Sequence, residues 1–210
     1  MKKLIESLGA VFIIDVCVIL RPLFRHWYAR WGAGREELTM KLPGDEIVPH
    51  PRGGYTQAIS VRARADEVWP WIAQVGQGKG GFYSYELLEN LVGCNIRNAH
   101  RILPEYQDVK VGDAIVMHPK APVIPVLTVE PGKALVGGGA QDEENANVWI
   151  FYLMQKEGGT RLISRWTYQY KPVFLNRIAY WLIEPIAAVM QRKMLLTMKK
   201  LAESNAGGEV

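Results

Sequence analysis

The sequence contains few of the residues from which metal and redox sites are built. Its 210 residues include two cysteines, Cys17 and Cys94, and four histidines. The cysteines are far apart, and no two histidines lie three or four positions from each other. This pattern favours two buried, reduced thiols in a cytosolic protein over a disulfide or a zinc site. We therefore expect neither a metal ion nor a cofactor.

Long hydrophobic runs are also absent. The longest candidate, LGAVFIIDVCVIL at residues 8–20, contains Asp15 and is shorter than the roughly 20 residues that a membrane-spanning helix needs. It is followed by Arg21 and Pro22 rather than by a small-x-small cleavage site, so we do not expect export. The next segment, RPLFRHWYARW, mixes arginines with aromatic residues, as lipid headgroup regions favour. Two alternatives remain: residues 4–31 contact the cytoplasmic face of a membrane, or they pack on the domain with their arginines in water.

The sequence also lacks an excess of basic residues outside its N-terminal segment. The net charge of +4 comes entirely from residues 1–35, which hold six basic and two acidic groups, whereas the other 175 residues hold 19 of each. A nucleic-acid-binding domain usually carries its basic excess on the folded domain, so we expect no nucleic-acid partner. The charge pattern and the polar segment KLPGDEIVPHPRGG divide the chain into an N-terminal hydrophobic and basic appendage, residues 1–35, and a domain, residues 36–205.

The remaining sequence predicts a strand, two short helices, several antiparallel strands and a long helix. YTQAISVRA alternates as a strand does, ADEVWPWIAQVG predicts a helix capped by Asp66, and YELLENLV predicts one capped by Ser84 and ended by Gly93. Strand segments separated by turn residues then follow between residues 109 and 170. Apolar spacing predicts a final helix over about residues 174–203, kinked or split at Pro185.

The segment GQGKGG at residues 76–81 satisfies the pattern G-x-G-x-x-G. A dinucleotide site needs a strand before these glycines and a helix after them, whereas here a helix precedes them. We therefore interpret the glycines as a tight connection. The aromatic residues that follow, Phe82, Tyr83 and Tyr85, suit either the mouth of an apolar pocket or a core.

A second set of aromatic residues lies on a predicted hairpin. With Gly158-Gly159 as a two-residue loop, Phe151 pairs with Trp166 and Trp149 pairs with Tyr168. All four side chains then share one face of the sheet, which is typical either of a ligand-lined wall or of an ordinary aromatic core. The same two alternatives apply to the methionines that recur every four residues on the final helix.

Four segments carry a resemblance to a known group of proteins: ADEVWPWIAQVG, GGFYSYELLENLVGCNI, RILPEYQDVKVGDAI and EPIAAVMQRKMLL. They resemble bacterial members of the START-like superfamily, also called SRPBCC, which holds polyketide cyclases and lipid-transfer domains. The resemblance covers most of the chain after the appendage. It implies an α+β helix-grip fold, in which a curved antiparallel sheet wraps around a long C-terminal helix and leaves a deep apolar cavity between them. The N-terminal hydrophobic helix would be an addition to this fold.

The resemblance implies a class of ligand but not a reaction, because the superfamily includes both carriers and enzymes. Our leading hypothesis is a non-enzymatic module that binds or carries a hydrophobic small molecule, such as a lipid, an isoprenoid or a polyketide-like compound. The expected ligand-binding residues are Phe82, Tyr83 and Tyr85 at the mouth, Trp149, Phe151, Trp166 and Tyr168 on the wall, and Met190 and Met194 on the final helix. One alternative is a cyclase or dehydratase acting on a polyketide-like ketone, for which the candidate proton-transfer groups are His118, Arg97, Arg165 and Asp113. Another is a membrane-docked interaction protein whose cavity is filled.

Overall fold

A computed structural model of the protein describes residues 1–206. The helices are α1 (Lys2–Ile19), α2 (Arg21–Ala29), α3 (Arg35–Thr39), α4 (Ala65–Ala73), α5 (Glu86–Leu91) and α6 (Phe174–Ala206). The strands are β1 (Gly53–Val61), β2 (Ala114–Ile115), β3 (Ile124–Glu130), β4 (Ala134–Ala140), β5 (Ala146–Lys156) and β6 (Gly159–Gln169). They form one antiparallel sheet in the order β1-β6-β5-β4-β3-β2.

The curved sheet packs around α6, with two short helices after the first strand and extra helices at the N-terminus. This is the helix-grip fold, so the predicted fold class is confirmed. The last helix is not split at Pro185, because α6 continues through that residue without a break.

The N-terminal segment predicted as one hydrophobic helix forms two helices, and the apolar run lies in the first of them. α1 ends at Ile19, and Pro22 lies in the first turn of α2, where a residue without an N–H group is tolerated but could not continue the preceding helix. α1 packs against α6, and α2 packs against both β1 and α6. Cys17, Tyr28 and Ala188 are buried there in one cluster. The appendage therefore shares a core with the domain, and the division near residue 35 stays a prediction.

The hairpin between β5 and β6 turns one residue earlier than predicted. Lys156 pairs with Gly159, so the two-residue loop is residues 157–158 and not Gly158-Gly159. Gly158 takes the second loop position with φ of +76°, a conformation that glycine adopts without a steric penalty. Because Gly159 follows Gly158 directly, the sequence was equally compatible with a loop one residue later.

The predicted pairing across this hairpin is consequently wrong by two residues. Trp149 pairs with Trp166, and Phe151 pairs with Ser164, instead of Trp149 with Tyr168. Side chains alternate between the two faces of a strand, so a slip of two residues preserves the face. The predicted grouping of the aromatic residues on one face is therefore retained, although their neighbours differ.

Both short helices begin next to the residues predicted to cap them. Arg64 rather than Asp66 precedes α4, and its N–H donates to the Glu67 carboxylate at 2.5 Å. Tyr85 rather than Ser84 precedes α5, and the Ser84 hydroxyl donates instead to the Met190 carbonyl of α6. The predicted left-handed residue after this helix is confirmed, since Gly93 has φ of +92°.

Candidate functional site

The space between the sheet and α6, where the resemblance implies a cavity, is filled by side chains of the protein. Trp149, Phe151, Met194 and Met198 belong to one cluster and are 7%, 1%, 4% and 0% exposed. A side chain that borders a void large enough for water keeps accessible surface, so values near zero mean contact with protein atoms on nearly all sides. In this arrangement these residues form a packed core.

Polar contacts fix Trp149 within this core. Its indole N–H donates to the Ser164 hydroxyl at 3.1 Å and to the Gln191 side-chain oxygen at 2.9 Å. The Gln191 amide donates in turn to the Ser164 carbonyl at 3.2 Å. These bonds join α6 to β5 and β6, and they use the Trp149 donor that a polar ligand would otherwise contact.

The three aromatic residues expected at a pocket mouth lie at different depths. Phe82 and Tyr83 are buried, with Phe82 packed 6.4 Å from the Trp149 ring. The Tyr83 hydroxyl accepts a hydrogen bond from the Gln74 amide at 2.7 Å, and burial raises the pKa of Tyr83 above its usual value. Tyr85 alone is half-buried, with the Lys193 ammonium 5.6 Å from its ring centroid.

Trp166 and Tyr168 belong to a second aromatic group near the start of α6. The Tyr168 ring stacks on Tyr180 at 4.3 Å, and Tyr170 stacks on the same ring at 4.4 Å. Met190 is partly exposed, and its carbonyl accepts the Ser84 hydroxyl at 3.0 Å. The residues predicted to bind a ligand are thus distributed over the core, this aromatic group and the surface, and their binding role stays a prediction.

The four candidate proton-transfer groups do not converge. The His118 ring bridges the Val92 carbonyl at 3.0 Å and the Lys120 N–H at 3.1 Å, which holds two loops together. Arg97 is exposed, and Asp113 accepts the Lys110 N–H at 2.9 Å within a turn. Within residues 1–206, no three His, Cys, Asp or Glu side chains gather as a metal site would require.

Arg165, the fourth candidate, lies on the opposite face of the sheet from Trp149. Its guanidinium donates to the Asp45 carboxylate at 2.5 Å, to the Met40 carbonyl at 3.0 Å and to the Glu37 carbonyl at 2.7 Å. These contacts attach α3 and the segment after it to the back of the sheet. Nothing in this geometry brings Arg165 to the interior.

A buried polar cluster that was not predicted centres on Glu184 of α6. This carboxylate is fully buried. One of its oxygens accepts hydrogen bonds from Arg25 Nε at 2.9 Å and from the Tyr28 hydroxyl at 3.1 Å. The same oxygen lies 3.0 Å from Arg21 Nη2. The Tyr168 hydroxyl donates to the other oxygen. Burial and the adjacent carboxylate raise the pKa of both tyrosines, so their hydroxyls remain donors.

This cluster fixes α2 on α6 and β6. The sequence signal for it was a single acid within the long apolar stretch before Pro185 and two arginines in α2, in a region without other acids. Periodicity alone could not reveal the pairing, because the partners are more than 150 positions apart.

The second feature of the N-terminal region is an exposed apolar surface on α1, α2 and the first half of α6. The two long helices run antiparallel, since Glu6 contacts Lys193 at 3.0 Å while Arg21 contacts the Trp181 carbonyl at 2.8 Å. We call the exposed large apolar residues of α1, α2 and the first half of α6, together with the adjoining Leu20 and Val173, the apolar face. Its members are Leu4, Ile5, Leu8, Val11, Phe12, Ile19, Leu20, Leu23 and Trp27 on one side, and Val173, Phe174, Leu175, Ile178, Trp181, Leu182, Ile183 and Ile186 on the other.

The apolar face holds most of the large hydrophobic side chains that are exposed in the described part of the chain. Phe12, Phe174 and Leu175 are 69%, 79% and 74% exposed, although each of them would normally be buried. No helix within residues 1–206 is both long enough and apolar enough to cross a membrane. The apolar residues therefore form a surface stripe along a helix pair.

Comparison with known proteins gives similarity at the level of solved structures only. No protein-family model matches the chain, and no curated protein matches it significantly. Protein MLL2253 from Mesorhizobium loti aligns over 72% of this chain and 98% of its own, with 16% identity and a TM-score of 0.43. The Polyketide_cyc-like protein Cgl2372 from Corynebacterium glutamicum aligns over 74% and 94%, with 15% identity and a TM-score of 0.42.

A third solved structure is the di-domain ARO/CYC StfQ from the steffimycin biosynthetic pathway. It aligns over 73% of this chain and 51% of its own, with 12% identity and a TM-score of 0.41. The second and third of these structures carry polyketide-cyclase-type names, which describe those proteins. At these identities and TM-scores, neither a ligand nor a reaction is transferred to this chain.

Proposed function

We propose that the protein docks on the surface of a lipid bilayer through its apolar face, with the helix-grip domain on the water side. The observation that carries the proposal is the concentration of exposed large apolar side chains on two antiparallel helices. Clustered exposure of this kind marks an interaction surface. Apolar helices flanked by arginine and tryptophan are typical of helices that lie in the membrane interface.

The charges beside the face favour a bilayer over a second copy of the chain. Between Asp15 and Glu36, and again between Glu157 and Glu184, the sequence contains no acidic residue. A symmetric dimer formed through the apolar face would bring the arginines of both copies together without exposed acids to pair with them, which is unfavourable. The basic flank also favours the cytoplasmic leaflet, because that leaflet carries the anionic lipids.

Co-sedimentation of the full-length protein with phospholipid vesicles tests the proposal. We expect wild type to sediment with vesicles and the double variant Phe174→Ser, Leu175→Ser to lose at least about tenfold in partitioning, because each side chain contributes on the order of 1 kcal/mol when buried in lipid. Val111→Ser, Val123→Ser is the matched control, since both valines are exposed near the far edge of the sheet. Equal binding by both double variants would overturn the proposal, as would a stable dimer that binds no vesicles.

Carriage of a hydrophobic small molecule is a second candidate. The observation that favours it is the placement of Met190 and Met194 on the side of α6 that faces the domain, because methionine side chains repack more easily than branched ones. A guest would have to displace Met194 and its neighbours from a filled core. Native mass spectrometry of the purified protein tests this candidate: a co-purifying lipid or isoprenoid supports it, and a ligand-free spectrum after extraction and re-exposure to lipid opposes it.

A further inference from the structure

A polar cleft of about 250 Å³ lies at the end of the sheet where β5 begins and β6 ends. The residues that line it are His50, Arg52, Glu143, Glu144, Gln169 and Tyr170. Arg52 supplies positive charge on one wall, and two glutamates supply negative charge on the other. Glu144 is paired with Lys171 at 3.6 Å, whereas no ion pair joins Arg52 to Glu143 in the part of the chain that the structure describes. The cleft therefore holds opposite charges that do not pair with each other.

The buried side chain of Gln169 fixes both walls of this cleft. Gln169 is 6% exposed, its amide donates to the Glu143 carbonyl at 2.9 Å, and its Oε1 accepts the His50 N–H at 3.2 Å. The backbone N–H of Arg52 donates to the Tyr168 carbonyl at 2.9 Å. Because the backbone of each wall is attached to β6, the walls are held at a fixed separation. This attachment explains how Arg52 and Glu143 can face one cleft without forming an ion pair.

Both charged side chains are open to a ligand. The Arg52 guanidinium lies 5.8 Å from the Tyr170 ring centroid and has no hydrogen-bond or ion-pair partner among residues 1–206. The exposed Glu143 carboxylate also has no partner within that range. A ligand with a single sign of charge would be repelled by one of these two groups, whereas a ligand with both signs would be attracted by each of them. The cleft thus favours a zwitterion.

The cleft adjoins the apolar face at the start of α6. The Tyr170 ring stacks on Tyr180 at 4.4 Å, and Tyr180 directly precedes Trp181, a member of the face. Val173, another member, follows Tyr170 by three residues, which is at most about 11 Å of chain. When the face lies on a bilayer, the cleft is therefore within reach of the lipid headgroups.

We infer that this cleft binds the headgroup of phosphatidylethanolamine, with Arg52 contacting the phosphate and Glu143 contacting the ammonium group. The inference rests on the proposed docking on a bilayer and adds the class of lipid. Guanidinium groups bind phosphate oxygens with paired donors, and a carboxylate accepts hydrogen bonds from a primary ammonium group. The quaternary ammonium of phosphatidylcholine has no N–H to donate and favours open aromatic faces, whereas the Tyr170 ring already contacts Tyr180 and Arg52.

The test compares vesicles of phosphatidylcholine alone with vesicles that also contain phosphatidylethanolamine, using the full-length protein. We expect wild type to partition about fivefold better on the second type, since an exposed ion pair contributes up to about that factor. Glu143→Gln should reduce this ratio to about one, and Arg52→Gln should weaken binding to the ethanolamine vesicles about fivefold. Soluble glycerophosphoethanolamine should lower the wild-type ratio, and glycerophosphocholine should not.

Glu157→Gln and Lys156→Gln are the matched controls, and both should keep the wild-type ratio. These residues are exposed at the β5–β6 hairpin, roughly 30 Å along the strands from the cleft. A ratio that survives Glu143→Gln, or that Glu157→Gln lowers equally, would overturn the inference, as would equal competition by the two soluble compounds. Equal binding of wild type to both vesicle types, lost in the Phe174→Ser, Leu175→Ser protein, would overturn headgroup selection but not docking. Binding to neither vesicle type would overturn both.

Discussion

The Arg21 guanidinium donates to the Trp181 carbonyl at 2.8 Å. This carbonyl is the one that Pro185 leaves without a helical hydrogen bond, because proline has no N–H to donate to the residue four positions before it. The same guanidinium lies 4.6 Å over the Trp181 ring and 3.0 Å from Glu184. One side chain of α2 thus stabilises the helix at its proline, which explains why α6 continues unbroken there.

Replacing Glu184 by glutamine should destabilise the protein strongly. The variant leaves the nearly buried Arg21 guanidinium without its charge partner, and removing one partner of such a buried pair costs about 3–5 kcal/mol. Urea denaturation measures the free energy of unfolding. Glu130→Gln, which removes an exposed pair with Lys133, is the control and should change it by less than about 1 kcal/mol. A similar small change in both variants would be evidence against the cluster as a structural anchor.

Replacing Met198 by alanine should destabilise the protein as much as other large-to-small substitutions in a densely packed core do. Met198 is 0% exposed, and Met198→Ala should lower the free energy of unfolding by about 2–5 kcal/mol, because the neighbouring side chains can only partly fill the space left behind. Met117→Ala, at a residue 39% exposed, should change it by less than about 1 kcal/mol. If the two variants lose equally little, the region between α6 and the sheet is loosely filled, and the carriage candidate gains support.

The fold could be predicted because its signals are local and repeated. Alternation gives β1, and turn residues separate the later strands, as seen in β3, β4, β5 and β6. The register of the hairpin could not be fixed, because either of two adjacent glycines can form its turn. Because the loop begins one position earlier, Trp149 and Phe151 have different partners on β6 from those predicted, but they still share one face of the sheet.

The sequence could not show which of the apolar residues lie in the interior and which lie on the surface. Aromatic and methionine patterns are the same for a ligand wall and for a packed core, and only the near-zero exposure of Phe151 and Met198 distinguishes them. The stripe at Phe174 and Leu175 has the apolar spacing of a buried helix face, yet it is exposed. Long-range pairs such as Arg25 with Glu184 leave no periodic trace at all.

Stability should fall as the pH rises through neutrality because of Glu89. Burial, with the neighbouring Glu86 carboxylate, raises the pKa of Glu89 from 4.5 to about 7, and one of its oxygens has no hydrogen-bond partner within residues 1–206. Between these two values the folded protein retains a proton that the unfolded chain has released. The unfolding free energy therefore decreases over this window, by roughly 3 kcal/mol in total, and stays lower above it.

Urea denaturation at a series of pH values between about 4.5 and 8 measures this slope. Glu89→Gln should remove it and should be more stable than wild type at the alkaline end, because glutamine cannot ionise. Glu130→Gln, at an exposed and paired carboxylate, should keep the slope. A wild-type protein whose stability rises through this window would exclude a protonated Glu89 in the folded state.

Asp15 should limit how tightly the apolar face binds a bilayer. It is the one acid between Leu8 and Leu23, and it is exposed one helical turn from both Phe12 and Ile19, so docking brings its carboxylate towards lipid. Asp15→Asn should therefore increase partitioning on phosphatidylglycerol-containing vesicles about fivefold. Asp108→Asn, at an exposed carboxylate in the loop before β2, serves as the control and should leave it unchanged. Weaker binding by Asp15→Asn would mean that α1 turns this side away from the membrane, and the docking face would then be limited to α2 and the start of α6.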